Sequence, residues 1–315
     1  MDVYIQNLKE WKKKMEKYNN RRFYSLNDFF REKFRDKVFK VSLDAGFTCP
    51  NRDGKVAYGG CIFCSDTGSG EFTGNRRKSI TEQIDEQLEF LKDKVKHKKV
   101  IAYFQNFTNT YGDVNYLRDI YYEALNHPRV LGLAIGTRPD CIEDDTLALL
   151  KEINKKYFLW IELGLQTIDD KIAKMINRGY PLSTYSEISK KLSDNGIKFV
   201  THMIVGLPTE EREEILNTAR YIIQSGAWGI KIHSLHIIKG TPLEKIYSRT
   251  NFKIFTLEEY VDIVATILQF LPKKMVVHRV TGDGKKDEVI EPKWSLNKRK
   301  VLNEIEKELK NREKR

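Results

Sequence analysis

Gly46-Phe47-Thr48-Cys49-Pro50-Asn51-Arg52-Asp53-Gly54, continued by Gly59-Gly60-Cys61-Ile62-Phe63-Cys64, is the stretch whose reading decides this chain. Three of the four cysteines fall here, spaced Cys-x11-Cys-x2-Cys directly after an expected strand, Val38–Leu43. Three thiolates with no obvious fourth ligand suit a cubane iron–sulfur cluster better than zinc, whose structural sites close with four protein ligands. A cluster held by three cysteines leaves one iron free to bind something else.

The 315 residues fit one large α/β domain or two small ones. A formal net charge of +11 and a pI near 9.2 point to a polyanionic partner, nucleic acid first, or to a well-solvated basic surface. Met1–Trp11 lacks an apolar signal core, and no run approaches the ~18 apolar residues of a membrane span. The expectation is a cytoplasmic protein with no membrane partner, in which clustered cysteines are metal ligands or reactive thiols rather than disulfides.

Before the cysteines, residues 1–37 form a basic, aromatic extension: Lys12-Lys13-Lys14, Lys17, Arg21-Arg22, Phe23, Tyr24, Phe29-Phe30. It reads either as an arm on a nucleic acid or as a solvated helix pinned by its aromatics. After them, strands and helices alternate. Expected strands are Lys99–Asn106, Val130–Thr137, Phe158–Leu165, Ile197–Val205, Ile230–Ile237 and Met275–Val280, with capping boxes at Ser79-x-x-Glu82 and Thr256-x-x-Glu259. Six βα units imply parallel strands with right-handed crossovers, in a partial (β/α) barrel or an open doubly wound sheet. Polar residues cluster after the strands, at Gln105 to Asn109, Gly136 to Asp140 and Gln166-Thr167, the face where such folds build sites. Residues 38–290 read as the core domain, and 291–315 as a basic amphipathic helix with Leu296, Val301, Leu302, Ile305 and Leu309 on one face.

The cysteine loop and the βα units together resemble the radical S-adenosylmethionine (SAM) superfamily, with Cys61-Ile62-Phe63-Cys64 similar to its Cys-x-aromatic-Cys ending. The first gap is longer than the Cys-x3-Cys usual there. One subfamily, the YhcC/YtqA-like proteins related to the Elongator catalytic domain, is similar over about residues 20–290. The similarity rests on Lys40 to Gly54, Tyr103-Phe104-Gln105 with Thr108-Asn109-Thr110-Tyr111, Gly136 to Asp140, Glu162 to Gln166, and His202 to Pro208. The resemblance implies a partial (β/α)6 TIM-like barrel in which Cys49, Cys61 and Cys64 hold a [4Fe-4S] cluster whose free iron chelates SAM. It implies that Phe63 lies against the adenine and that Gln105 and Thr108 stand where relatives carry a Gly-Gly-Glu turn. Gln166 and Arg178 would reach the SAM ribose and carboxylate, and His202 would face the site, with Arg favoured for its paired charge-assisted hydrogen bonds.

The implied chemistry is hydrogen abstraction by a 5′-deoxyadenosyl radical. The implied substrate is the wobble uridine of the tRNA anticodon stem-loop, whose 5-carboxymethylaminomethyl group would be trimmed to 5-aminomethyl. A flavodoxin or ferredoxin would supply electrons, and a methyltransferase would act afterwards. Cys141 is a candidate hydrogen donor beside the commoner reading of a buried thiol. The competing readings are another radical SAM reaction on RNA or a small metabolite, and a non-catalytic Fe–S or zinc nucleic-acid module.

Overall fold

The computed structural model of the chain describes residues 21–66, 68, 73–95, 99–282 and 284–314, so the expected helix and lysine run before Arg21 lie outside the described residues. The strands are β1 (Phe39–Leu43), β2 (Val100–Phe104), β3 (Val130–Thr137), β4 (Phe158–Gln166), β5 (Lys198–Val205) and β6 (Gly229–Ser234). They are followed by β7 (Ile237–Ile238), β8 (Val276–Arg279) and β9 (Val289–Glu291). Seven form one parallel sheet in the order β1-β2-β3-β4-β5-β6-β8. A doubly wound sheet reverses its strand order at a switch point. Here the order runs one way, and the sheet curls into a half-barrel. The expected strand Ile230–Ile237 is corrected: it ends at Ser234, and Ile237–Ile238 turn away to pair antiparallel with β9.

Helices lie between the strands: α1 (Leu26–Phe34), α2 (Ile80–Phe90), α3 (Val114–Asn126), α4 (Asp144–Lys156), α5 (Asp170–Met175) and α6 (Leu182–Asp194). Then come α7 (Arg212–Gln224), α8 (Pro242–Thr250), α9 (Leu257–Phe270) and α10 (Lys298–Arg312). Both expected capping boxes form: Ser79 and Thr256 accept from the amides of Glu82 and Glu259, whose carboxylates accept the cap amides in return. The α2 stripe Ile80, Ile84 and Leu88 is buried against β1 and its neighbours.

The described part of the first extension, from Arg21 on, and the C-terminal helix are part of this body. Val301, Ile305 and Leu309 of α10 are buried in the main core, each burial contributing about 1.5–3 kcal/mol. Arg312 bridges to Asp262 of α9, and Arg22 Nε donates to Glu313 at 3.0 Å. Lys298-Arg299-Lys300 remain exposed. The α1 aromatics are packed rather than presented: Phe29 meets Trp228 at 4.8 Å, and Phe34 meets Phe158 at 5.5 Å between ring centroids. With Phe30 against Trp160, α1 plugs the end of the barrel where the strands begin.

Inside the barrel, side chains alternate in and out with period two, so inward residues stack in layers. The lowest layer is apolar: Val38, Ile101, Ala134, Trp160 and Val200. The next holds Lys40, Tyr103, Glu162, His202 and Lys231, and above it stand Ser42, Gln105, Gly136, Gly164 and His233. The cysteine loop covers the top.

Glu210, after β5, is buried with one carboxylate oxygen unpartnered, and burial pushes its carboxyl up to about 8. Between its ordinary value and about pH 8 the native state holds a proton that the unfolded chain releases, so stability falls as pH rises through that window. Glu210→Gln is therefore expected to flatten the decline and raise the unfolding temperature at pH 8 by roughly a few degrees, read by thermal unfolding from pH 5 to 9.

Candidate active site

Cys49, Cys61 and Cys64 are free thiols, half-buried, lining a cavity of about 400 Å³ at the top of the barrel, a size typical of ligand sites. A tight turn, Cys64 N–H to Cys61 O at 3.0 Å, sets the last two side by side. The hydrogen bond from Cys64 holds the Cys61 thiol below its ordinary value against burial, helped by Arg138, Asn51 and Arg52. Asn51 Nδ2 lies 3.7 Å from Cys61 Sγ. These surroundings favour the thiolate, the ligating form, at Cys61, whereas the hydrogen bond with Cys61 and burial push the Cys64 thiol well up.

A strap from the far side of the barrel holds the loop. Ile62 N–H donates to Ile176 O at 3.1 Å, Asn177 Nδ2 donates to Gly60 O at 2.8 Å, and Asn51 Nδ2 donates to Asn177 O. Gly179, at φ +83°, has no room for a side chain: a Cβ would come within 2.6 Å of Asn51 Oδ1.

Arg178, which lines the cavity, also anchors that strap. Its Nε donates to Tyr180 O at 3.0 Å, Nη1 to Leu165 O and Thr167 O at 2.8 and 2.7 Å, and Nη2 to Asp170 at 3.0 Å. With four donors engaged and the side chain 1% exposed, the guanidinium positions the turn. Cys141 stands as the buried thiol of the commoner reading. Its thiol is buried 3.8 Å from Asp140 Oδ1, burial pushes it well up, and it is not among the lining residues.

The expected cofactor-binding residues all line the cavity: Phe63, Gln105, Thr108, Gln166, Arg178 and His202. Gln105 Oε1 accepts from Ser42 Oγ at 3.2 Å. Gln166 is unusual on two counts. Its backbone is left-handed, φ +64°, at an irregularity in the β4–β5 pairing, and its buried Oε1 has no partner. Strained backbone and an unsatisfied buried acceptor cost free energy and mark functional positions.

Below lies a network that the motifs did not indicate. Glu162 Oε2 accepts from Tyr103 Oη at 2.7 Å and from Lys231 Nζ at 2.5 Å, and lies 2.8 Å from His202 Nε2. Oε1 accepts from Trp160 Nε1 at 3.1 Å and lies 3.9 Å from Lys40 Nζ. Burial alone would raise the Glu162 carboxyl, but Lys231, Lys40 and His202 overcome it and hold it well below the usual range. Burial lowers Lys231 to about 7 against the pull of Glu162, and lowers His202 to about 4.

The donor set fits a cubane cluster. It offers three soft thiols and no disulfide at one mouth. Among the described residues no three Cys, His, Asp or Glu side chains gather as a single ion would need.

Residues 49–222 match the Radical SAM superfamily, and residues 227–311 match the Radical_SAM C-terminal domain. The chain is 46% identical over 297 residues, 94% of its length, to the uncharacterized protein YtqA of Bacillus subtilis, covering 92% of that protein. It is 34% identical to protein YhcC of Escherichia coli, with 88% of this chain and 89% of that one aligned. The Elp3 structure from Methanocaldococcus infernus shares the fold at TM-score 0.65 and 19% identity, over 88% of this chain and 64% of that one. Family matches covering most of the chain, on a half-barrel with three thiols at its mouth, place this protein in the radical SAM superfamily, whose members use a [4Fe-4S] cluster and S-adenosylmethionine.

Proposed function

We propose that this chain is a tRNA-modifying radical SAM enzyme that trims the 5-carboxymethylaminomethyl group of the wobble uridine to 5-aminomethyl. The observation that carries the reading is one continuous cavity with three thiols at its mouth and a charged, hydrogen-bonded interior below them. In this reading Cys49, Cys61 and Cys64 hold the cluster. When bound and reduced, it supplies the electron that cleaves SAM to methionine and a 5′-deoxyadenosyl radical.

The chain's own residues bind, orient and exclude water. Phe63 offers an apolar face for the adenine, and the unpartnered Gln166 Oε1 awaits a donor such as a ribose hydroxyl or the SAM amine. The apolar lowest layer and the α1 plug close the strand-start end of the barrel to bulk water. The reacting carbon is the methylene beside the amine nitrogen, the position from which the radical would take hydrogen.

RNA as the substrate class is supported by the charge of +11 and by exposed Lys55, Arg76, Arg77 and Lys78 around the cysteine face. Arg76 reaches across Phe107, a lining residue, at 5.8 Å. Backbone phosphates on such a rim give strongly salt-dependent affinity. The test is a nucleoside profile of tRNA from a deletion strain. Accumulated 5-carboxymethylaminomethyl-(2-thio)uridine, with loss of the aminomethyl form and its methylated descendant, is expected. An unchanged wobble position overturns the substrate.

A further inference from the structure

The gap between Cys49 and Cys61 is longer than the Cys-x3-Cys usual in the superfamily, and the added length forms a structured excursion beside the mouth of the cavity. Gly54 N–H donates to Ala57 O at 3.2 Å, Val56 N–H donates to Pro50 O at 2.8 Å, and Asp53 bridges antiparallel to Tyr58. From the strap, Asn177 Nδ2 donates to Tyr58 O at 3.4 Å. The backbone of Tyr58 is thus held from two sides, yet the residue is 79% exposed. Its phenol end lies on Gly54, where a Cβ would come within 2.6 Å of Cε1, Cζ and Oη. Among the described residues no other ring and no cation covers it. Single exposed hydrophobics are ordinary on a protein surface. This one is held in place and stands among cations at the site. Lys55 Nζ lies 5.1 Å from the Tyr111 ring and Arg52 Cζ 5.4 Å from that of Phe107, and Arg52, Phe107 and Gly60 line the cavity. Asp53, the one carboxylate of the excursion, accepts from the Lys55 amide at 3.2 Å.

We propose that Tyr58 is a stacking platform for an unpaired RNA base next to the nucleotide that enters the cavity, with Lys55 beside it for a flanking phosphate. Single-stranded RNA is held by this combination: aromatic faces take bases splayed out of the stack, and cations take the backbone. Tyr58 stands three residues before Cys61, so their Cα atoms are at most about 11 Å apart, within reach of a neighbouring nucleotide. A paired stem has no base to offer, since its bases are stacked on one another. RNA is favoured over an apolar protein partner by the setting, because Lys55, Arg76 and Arg77 are exposed on the same face, a field suited to phosphates. The inference deepens the reading above and rests on it for RNA as the substrate class.

The test measures binding of the anaerobically reconstituted full chain to a hairpin RNA of the anticodon type and to a blunt duplex of its stem, by fluorescence anisotropy over a salt series. Tyr58→Ala is expected to weaken hairpin binding roughly five- to hundredfold, the size of one base–aromatic stack, and to leave duplex binding unchanged. Tyr58→Trp is expected to keep the wild-type affinity. The slope of log affinity against log salt should stay the same in Tyr58→Ala, because no phosphate contact is lost, whereas losing one would reduce its magnitude by about one. Thermal unfolding checks that the variant is folded, as expected at so exposed a position. Unchanged hairpin affinity in folded Tyr58→Ala, an equal loss on the duplex, or a loss that comes with a shallower slope overturns the platform and leaves RNA standing as the substrate class. A wild type that binds neither RNA overturns the platform and the RNA reading together, and leaves Tyr58 to a protein partner. Hairpin affinity that depends on Tyr58, with an unmodified wobble position in the tRNA test, keeps the platform and retires the wobble uridine.

Discussion

Cys61→Ala is expected to lose the broad visible absorbance of the reconstituted cluster and to reduce 5′-deoxyadenosine release from SAM by at least about 10³-fold, since the difficult step belongs to the cofactor. Cys49→Ala and Cys64→Ala should behave alike. The fourth cysteine provides the control. Cys141 is buried against Asp140, off the cavity lining, so Cys141→Ala should keep both the absorbance and the cleavage. The loop's fastening by Asn51, Asn177 and Ile176 is independent of the thiols, so the cysteine variants should remain folded. Thermal unfolding of the cluster-free proteins checks that point. If the wild type instead held one tightly bound zinc and cleaved no SAM, the non-catalytic module would replace the enzyme.

The second large effect concerns stability. Glu162→Gln leaves Lys231 and Lys40 facing a neutral amide in a buried layer, and removing one partner of such a pair typically costs about 3–5 kcal/mol. A loss of roughly ten degrees in unfolding temperature is expected. Adding Lys231→Met to that variant should restore much of the loss, because replacing both partners of a buried pair by neutral groups is often close to neutral. Denaturant titration of the two single variants and the double variant measures the coupling. Strictly additive losses would show that Glu162 and Lys231 do not stabilise the fold as a pair.

The cysteine triad was legible because its spacing is local and its chemistry narrow. The barrel was legible because β2 reads as an unbroken apolar run and α2 and α9 carry capping boxes at their starts. Strand order settled what pattern alone left open between barrel and doubly wound sheet. The structural hold of Arg178 was not legible because a motif position says nothing of which acceptors its guanidinium meets, and here they are backbone carbonyls up to thirteen residues away and the Asp170 carboxylate. The Glu162 layer was missed because its members stand 59 and 69 residues apart in pairs across β2, β4 and β6. A signal was present: in Trp160-Ile161-Glu162-Leu163 and Ile230-Lys231-Ile232-His233 a lone charge alternates with aliphatics. In a barrel strand, such an inward charge must find a partner inside.

The aromatic stopper made by α1 bears on the order of events. With the strand-start end sealed by Phe29, Phe30 and Phe34, traffic to the radical centre uses the cysteine side, where a docked RNA would itself sit. Were the substrate an RNA docked there, SAM would have to go in first, and methionine and 5′-deoxyadenosine would depart only once the RNA lifted off, so each nucleic-acid encounter would allow a single turnover.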